Sequence, residues 1–288
     1  MAFVSNTARD AGPTIAGFFL QVNLSILRWL DIDASQHLEL ECGEDIDTVE
    51  RNEENGAEKR LLEQLKLRSG RSLTLRSFEA LDALVNYCDH IQRNPDIQLL
   101  FRYLTTASAT VEDGWTSGLS GIATWQALRH GEYNDLQRSQ AIQSLRTFLE
   151  QLARPAKISE SRWTLLQAVV ADESAFLQLV MAFEWALEQP GLEQTEATIR
   201  TILQQRGYAN DEAQAEIIYE HLVSFVFRRL STRGRVPCGV YQYRCIGLRT
   251  MIEEDESWPH DNKCQTQDLS NVTEYCQGSG IAEPKILH

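Results

Sequence analysis

Positive charge is scarce in this chain. Its 288 residues hold 27 Lys and Arg against 41 Asp and Glu, a formal net charge of −14. That balance argues against a surface coated for nucleic acid and leaves only local basic patches for phosphate, which act within a Debye length of about 8 Å. No run of about 18 apolar residues occurs, so a helical membrane span is not expected. A basic segment followed by an apolar run, the mark of a secretory signal, is missing from the N-terminus. The six cysteines, Cys42, Cys88, Cys238, Cys245, Cys264 and Cys276, make no CxxC pair and no zinc-module spacing. Reduced thiols and a cytoplasmic location are therefore expected. There is also no GxxxxGK[ST] P-loop, so the chain brings no ATPase of its own.

Against these absences stands one informative stretch, His37 to Arg76. From Leu61 to Arg68 the pattern alternates: Leu61, Glu63, Leu65 and Leu67 share one face of a strand, while Leu62, Gln64, Lys66 and Arg68 share the other. Upstream, Leu38 and Leu40 alternate with His37, Glu39 and Glu41. After the Cys42-Gly43-Glu44 turn, Asp45 and Asp47 fall on a common face. A carboxylate on one strand beside a Gln-x-Lys pair on the next makes a compact set of hard oxygen ligands with an ammonium group. Such a set suits Mg²⁺ or Mn²⁺, held by one or two carboxylates with waters and phosphate oxygens. The metal would serve as Lewis acid and template while the lysine orients water, which is the chemistry of phosphodiester hydrolysis. Arg68, Arg71 and Arg76 flank the site with no acid among residues 67 to 76, a candidate DNA-backbone rim whose bland counterpart is a solvated strand end.

Around this stretch the coarse pattern gives helix, strands, helix, strand. Thr14 caps a helix to about Leu30 with an apolar face of Ile15, Phe18, Phe19, Val22, Ile26, Leu27 and Leu30, and Gln21 on its edge. Arg76 to Gln92 is helical up to Asn94-Pro95, and Asp96 to Thr106 is a strand. The expected fold is an α/β sandwich with a mixed sheet over residues 1 to 115, followed by an all-α region over 116 to 232. Its helices run over Ile122–His130, Asp135–Leu152, Trp163–Val170, Glu173–Glu188, Thr195–Arg206 and Asp211–Leu230, with Trp125, Trp163 and Trp185 as core anchors. Residues 233 to 288 turn acidic and then Ser/Gln/Asn-rich, an irregular tail or the start of a further region.

The order and wording of these segments resemble the PD-(D/E)xK nuclease superfamily, and within it the dsDNA endonuclease domain that accompanies CD-NTases and other antiphage defence systems. The matching residues are Gly17-Phe18-Phe19-Leu20-Gln21, Glu41-Cys42-Gly43-Glu44-Asp45-Ile46-Asp47 and Gln64-Leu65-Lys66, with a looser match at Gly121-Ile122-Ala123-Thr124-Trp125. The resemblance implies a restriction-endonuclease-like fold and a Mg²⁺-dependent endonuclease that degrades double-stranded DNA with little sequence preference. It assigns Asp47 as main metal ligand, Gln64 as the second-strand ligand and Lys66 as the catalytic lysine. Asp45 and Glu41 are secondary candidates and Gln21 a supporting residue, and two aspartates, Asp45 and Asp47, compete for the family's one. It further implies control from elsewhere, through homo-oligomerisation, missing C-terminal domains, or a HerA-type or STAND ATPase partner. The rival reading is a catalytically silent nuclease-like adaptor with the helices as its working part.

Overall fold

The computed structural model describes residues 12–33, 35–51, 56–68, 72–115, 119–231 and 235–236. Residues 1–238 make one compact unit; of the expected tail, 233–288, only Arg235 and Val236 fall within the described residues. Helix α1 (Gly12–Asp31) leads into strands β1 (Gln36–Leu40), β2 (Ile46–Arg51) and β3 (Glu58–Lys66), then α2 (Phe78–Arg93) and β4 (Gln98–Thr105). Four helices follow, α3 (Gly121–Arg129), α4 (Asp135–Glu150), α5 (Glu160–Ala171) and α6 (Glu173–Ala182). The chain then forms β5 (Phe183–Ala186), α7 (Leu192–Gln205), α8 (Glu212–Ser231) and β6 (Arg235–Val236). The six strands lie in the order β5-β4-β3-β2-β1-β6. β1, β2 and β3 form an antiparallel meander, β6 adds antiparallel to β1, and β4 and β5 run parallel to β3. The sheet is mixed, as its short and long connections require.

Alternation along β3 sorts its two faces. Leu62 joins Phe101, Tyr103, Phe183 and Trp185 in a core built with α2 through α6. Glu63, on the opposite face, meets Arg28 of α1 at 2.7 Å. Helix α1 is itself covered by α7 and α8: Trp29 stacks on Phe225 at 5.0 Å, and Tyr219 donates to Asn23 Oδ1 at 3.0 Å. Every residue from Leu20 to Ile26 is consequently buried, polar Gln21, Asn23 and Ser25 included. The apolar face expected along α1 holds only in its second half, since Ile15, Phe18 and Phe19 are exposed.

The boundary expected near residue 115 is not a domain boundary. Helix α6 stops at Ala182, and Phe183-Glu184-Trp185-Ala186 continues as a strand paired to β4. The period changes there from helical to two: Phe183 and Trp185 are buried in the core, and Glu184 points to the other face beside Arg102. Trp125 Nε1 donates to the Phe183 carbonyl at 3.1 Å and Gln126 Nε2 to the Trp185 carbonyl at 2.8 Å, tying α3 to this edge. Trp125 and Trp185 are core anchors, as their apolar surroundings predict. No single described helix is long and apolar enough to cross a membrane; α5 and α6 together have the composition but are bent by 105°.

Because the helices complete the core of the sheet, Trp125→Ala is expected to cost about 3–5 kcal/mol, the range for emptying a buried aromatic site. Sheet and helices should then melt together in one transition at lower denaturant, read by far-UV circular dichroism and tryptophan fluorescence. Separate transitions would restore an independent helical domain.

Candidate active site

The connection between β1 and β2, Glu41 to Asp45, sits at the end of the sheet where Lys66 closes β3. Glu41 takes a left-handed φ of 56° and donates its N–H to the Asp45 carbonyl at 3.4 Å, closing the turn. From α1, Gln21 Nε2 bridges the rim, reaching Glu41 Oε1 at 2.7 Å and the Asp45 carbonyl at 3.0 Å. From α2, His90 Nε2 lies 3.2 Å from Glu44 Oε1. The loop is thus gripped from both layers.

Asp45 Oδ2 accepts the backbone N–H of Leu65 at 2.6 Å, the residue between Gln64 and Lys66. Gln64 is 6% exposed, and its Oε1 is buried with no hydrogen-bond partner among the described residues. Lys66 is exposed and makes no described ion pair; its charge acts on Asp45 through space. Burial pushes the Asp45 carboxyl up to about 6, held back by the Leu65 N–H and by Lys66. Asp45 is thereby bonded to the residue that separates Gln64 and Lys66 on β3.

Asp47 does not join them. It pairs with Leu62 in the ladder, short of Gln64 in the register. Its Oδ2 accepts from Gly43 N–H at 2.7 Å and its Oδ1 from Glu44 N–H at 3.0 Å, and Arg60 lies 3.8 Å away. Burial raises this carboxyl too, to about 6, against those two amides and Arg60. With both oxygens committed and no exposed surface, Asp47 does not fit the role of main metal ligand expected of it. Glu41, a secondary candidate, is taken up by Gln21 and borders a cleft of about 330 Å³ with Phe18, Phe227 and Leu230.

The basic rim is also different from the expectation. Arg68 is committed to Glu79 of α2 at 2.7 Å, and Arg76 reaches the Asp113 carbonyl at 3.2 Å and lies over the Phe148 ring. Arg71 lies outside the described residues. What spacing missed is the part played by backbone amides, the Leu65 N–H on Asp45 and the Gly43 and Glu44 N–H groups on Asp47. A glycine two residues before the first aspartate was the only trace of them in the sequence.

Among the described residues no three His, Cys, Asp or Glu side chains converge on one metal position. The donor set on offer is one carboxylate, Asp45, and one amide oxygen, Gln64. That set fits Mg²⁺, which retains several waters and fills its shell with substrate phosphate, and an orphaned buried oxygen is the kind of group a cation satisfies.

No family model matches the chain, and no curated protein matches it. Among solved structures it is similar in fold to a Cap4 SAVED/CARF-domain containing receptor of Acinetobacter baumannii. With the cyclic trinucleotide 3′3′3′-cAAA the TM-score is 0.51 at 15% identity, covering 89% of this chain and 48% of that one. With 2′3′3′-cAAA the TM-score is 0.50 at 14% identity over the same shares. The chain spans about half the length of the receptor it matches.

Two carboxyls that titrate near 6 rather than near 3.9 make a test. Carboxyl-carbon NMR of the metal-free protein is expected to show two midpoints near 6, one lost in Asp45→Asn. Since the folded values are raised, the stability these groups contribute is complete below the unfolded value and is lost as pH climbs through about 6. Wild type should therefore lose stability relative to Asp45→Asn between about pH 4 and 6; a constant difference would contradict the burial of Asp45.

Proposed function

We propose that this chain is a metal-dependent endonuclease of restriction-endonuclease-like fold that cuts double-stranded DNA in antiphage defence. The observation that carries the reading is the buried, unpartnered Gln64 Oε1, beside a carboxylate whose charge is costly and two residues before a free lysine. Supporting it are the helix, three-strand meander, helix and parallel strand that frame these residues, and the fold likeness to a Cap4 receptor.

Asp45 and Gln64 would hold the metal, with the Leu65 N–H fixing the free oxygen of Asp45 toward it. The bound ion supplies Lewis-acid polarisation of the phosphate and a water of lowered pKa. Lys66, on the same strand face as Gln64, would orient an attacking water and offset the charge that builds on the phosphoryl oxygens. Because the metal must displace protons, binding is favoured as pH rises through about 6, where Asp45 ionises. One carboxylate instead of two leaves the site weakly charged, so substrate phosphate completes it. Control would come from assembly of several copies on DNA, driven by a partner ATPase of HerA or STAND type or by a sensor module.

A second reading comes from the solved structures of similar fold, which hold a receptor with cyclic trinucleotides. In it this chain is the sensing half and binds such a ligand itself.

Plasmid cleavage with Mg²⁺ against EDTA separates the readings, run with and without a cyclic trinucleotide. Expected are metal-dependent cuts reduced about 100-fold or more by Asp45→Ala and by Lys66→Ala, the usual scale for losing one preorganised charge. Calorimetric binding of a cyclic trinucleotide without any cleavage would favour the sensing half, and neither activity would leave the adaptor reading.

A further inference from the structure

The loop that carries Asp45 is held from within by a residue the proposed chemistry does not use. Asp47 is fully buried, and each of its oxygens takes one of two consecutive backbone N–H groups, Gly43 and Glu44. Two successive amides turned to one side make a concavity for an anion, and here the anion is supplied by the same chain, three residues beyond the second amide. Arg60 balances it, bonded in turn to Glu39 at 2.7 Å and to Glu58. The fit is close at Gly43: a Cβ there would lie 2.7 Å from Asp47 Oδ2 and 3.0 Å from a Leu62 methyl. Gln21 holds the Asp45 carbonyl on the outer rim, and the Asp45 carboxylate reaches the Leu65 N–H.

We infer that Asp47 is a positioning residue, which locks the Gly43–Glu44 amides so that Asp45 presents its carboxylate beside Gln64. This rests on the metal reading of Asp45 and Gln64. Asp47→Asn exchanges an acceptor oxygen for an NH₂ that faces a backbone N–H, so one amide loses its partner and the loop relaxes. Gly43→Ala opens the same clamp by contact alone and leaves every charge in place. Outer partners of metal ligands typically change metal affinity by about 10–100-fold when removed.

The test is Mn²⁺ binding to the full chain, read from the free-ion electron paramagnetic resonance signal, with a melting temperature for each variant. Val49→Ala is the control, a buried residue of the same strand that lowers stability without touching the loop. Expected is a loss of affinity of about tenfold or more in Asp47→Asn and Gly43→Ala, and wild-type affinity in Val49→Ala despite its lower melting temperature. Affinity within twofold of wild type in both loop variants overturns the inference, as does weakened binding in Val49→Ala equal to theirs. Loss in Asp47→Asn with binding intact in Asp45→Asn would make Asp47 the ligand. No Mn²⁺ binding by wild type would instead fell the metal reading, and the positioning role with it. Should Asp47→Asn not fold, Gly43→Ala decides alone.

Discussion

Strand β3 is covered on both faces, yet it carries Glu63 and Gln64 in succession, 0% and 6% exposed. A buried polar group has to find partners or cost stability. Glu63 finds them in full, with Arg28 on one oxygen and both Arg28 and Arg102 on the other, so its charge is matched within the fold. Gln64 does not, because its acceptor oxygen is left without a donor at the end of the sheet where the chain opens to solvent at Lys66. The two neighbours have the same burial and opposite bookkeeping. Glu63 is matched within the fold, and in the proposed reading the acceptor of Gln64 is matched by the metal.

The same contrast separates the two aspartates. Asp45 and Asp47 face the same way and both have carboxyls raised to about 6, so acidity does not tell them apart. Partners do. Asp47 spends both oxygens on the loop amides, whereas Asp45 spends one on β3 and keeps the other. Helix α1 matters here because it is buried from Leu20 to Ile26 under α7 and α8, which lets Gln21 act as a rigid strut on the loop rim. The helices beyond residue 190, far from Gln64 in sequence, thereby bear on the geometry of Asp45.

Period two made the shared face of Gln64 and Lys66 legible in the sequence, because a strand buried on both faces still alternates side to side. The choice between Asp45 and Asp47 was not legible, since residues two apart share a face and the deciding contacts are backbone N–H groups that carry no side-chain signature. The basic rim was misread for a similar reason: Arg68 looks free over residues 67 to 76, but its partner Glu79 stands at the start of the next helix. The division near residue 115 failed on four residues. Phe183 to Ala186 is too short to break the helical pattern around it, and it becomes a strand because β4 offers an open parallel edge and an aromatic core to fill.

Electrostatics then bears on how such a site would meet DNA. The arginines nearest the sheet, Arg28, Arg60, Arg68 and Arg102, are all engaged by carboxylates of the chain, and the whole carries −14. Affinity for duplex DNA comes mainly from cations that replace condensed counterions, so one copy attracts it weakly. A metal held by a single carboxylate is likewise weak until phosphate arrives. Both deficits are repaired by the same event: bringing several copies to one duplex makes each further encounter intramolecular and raises the local phosphate concentration at every site. In the proposed reading, weakness of the isolated chain is what makes its activity dependent on assembly.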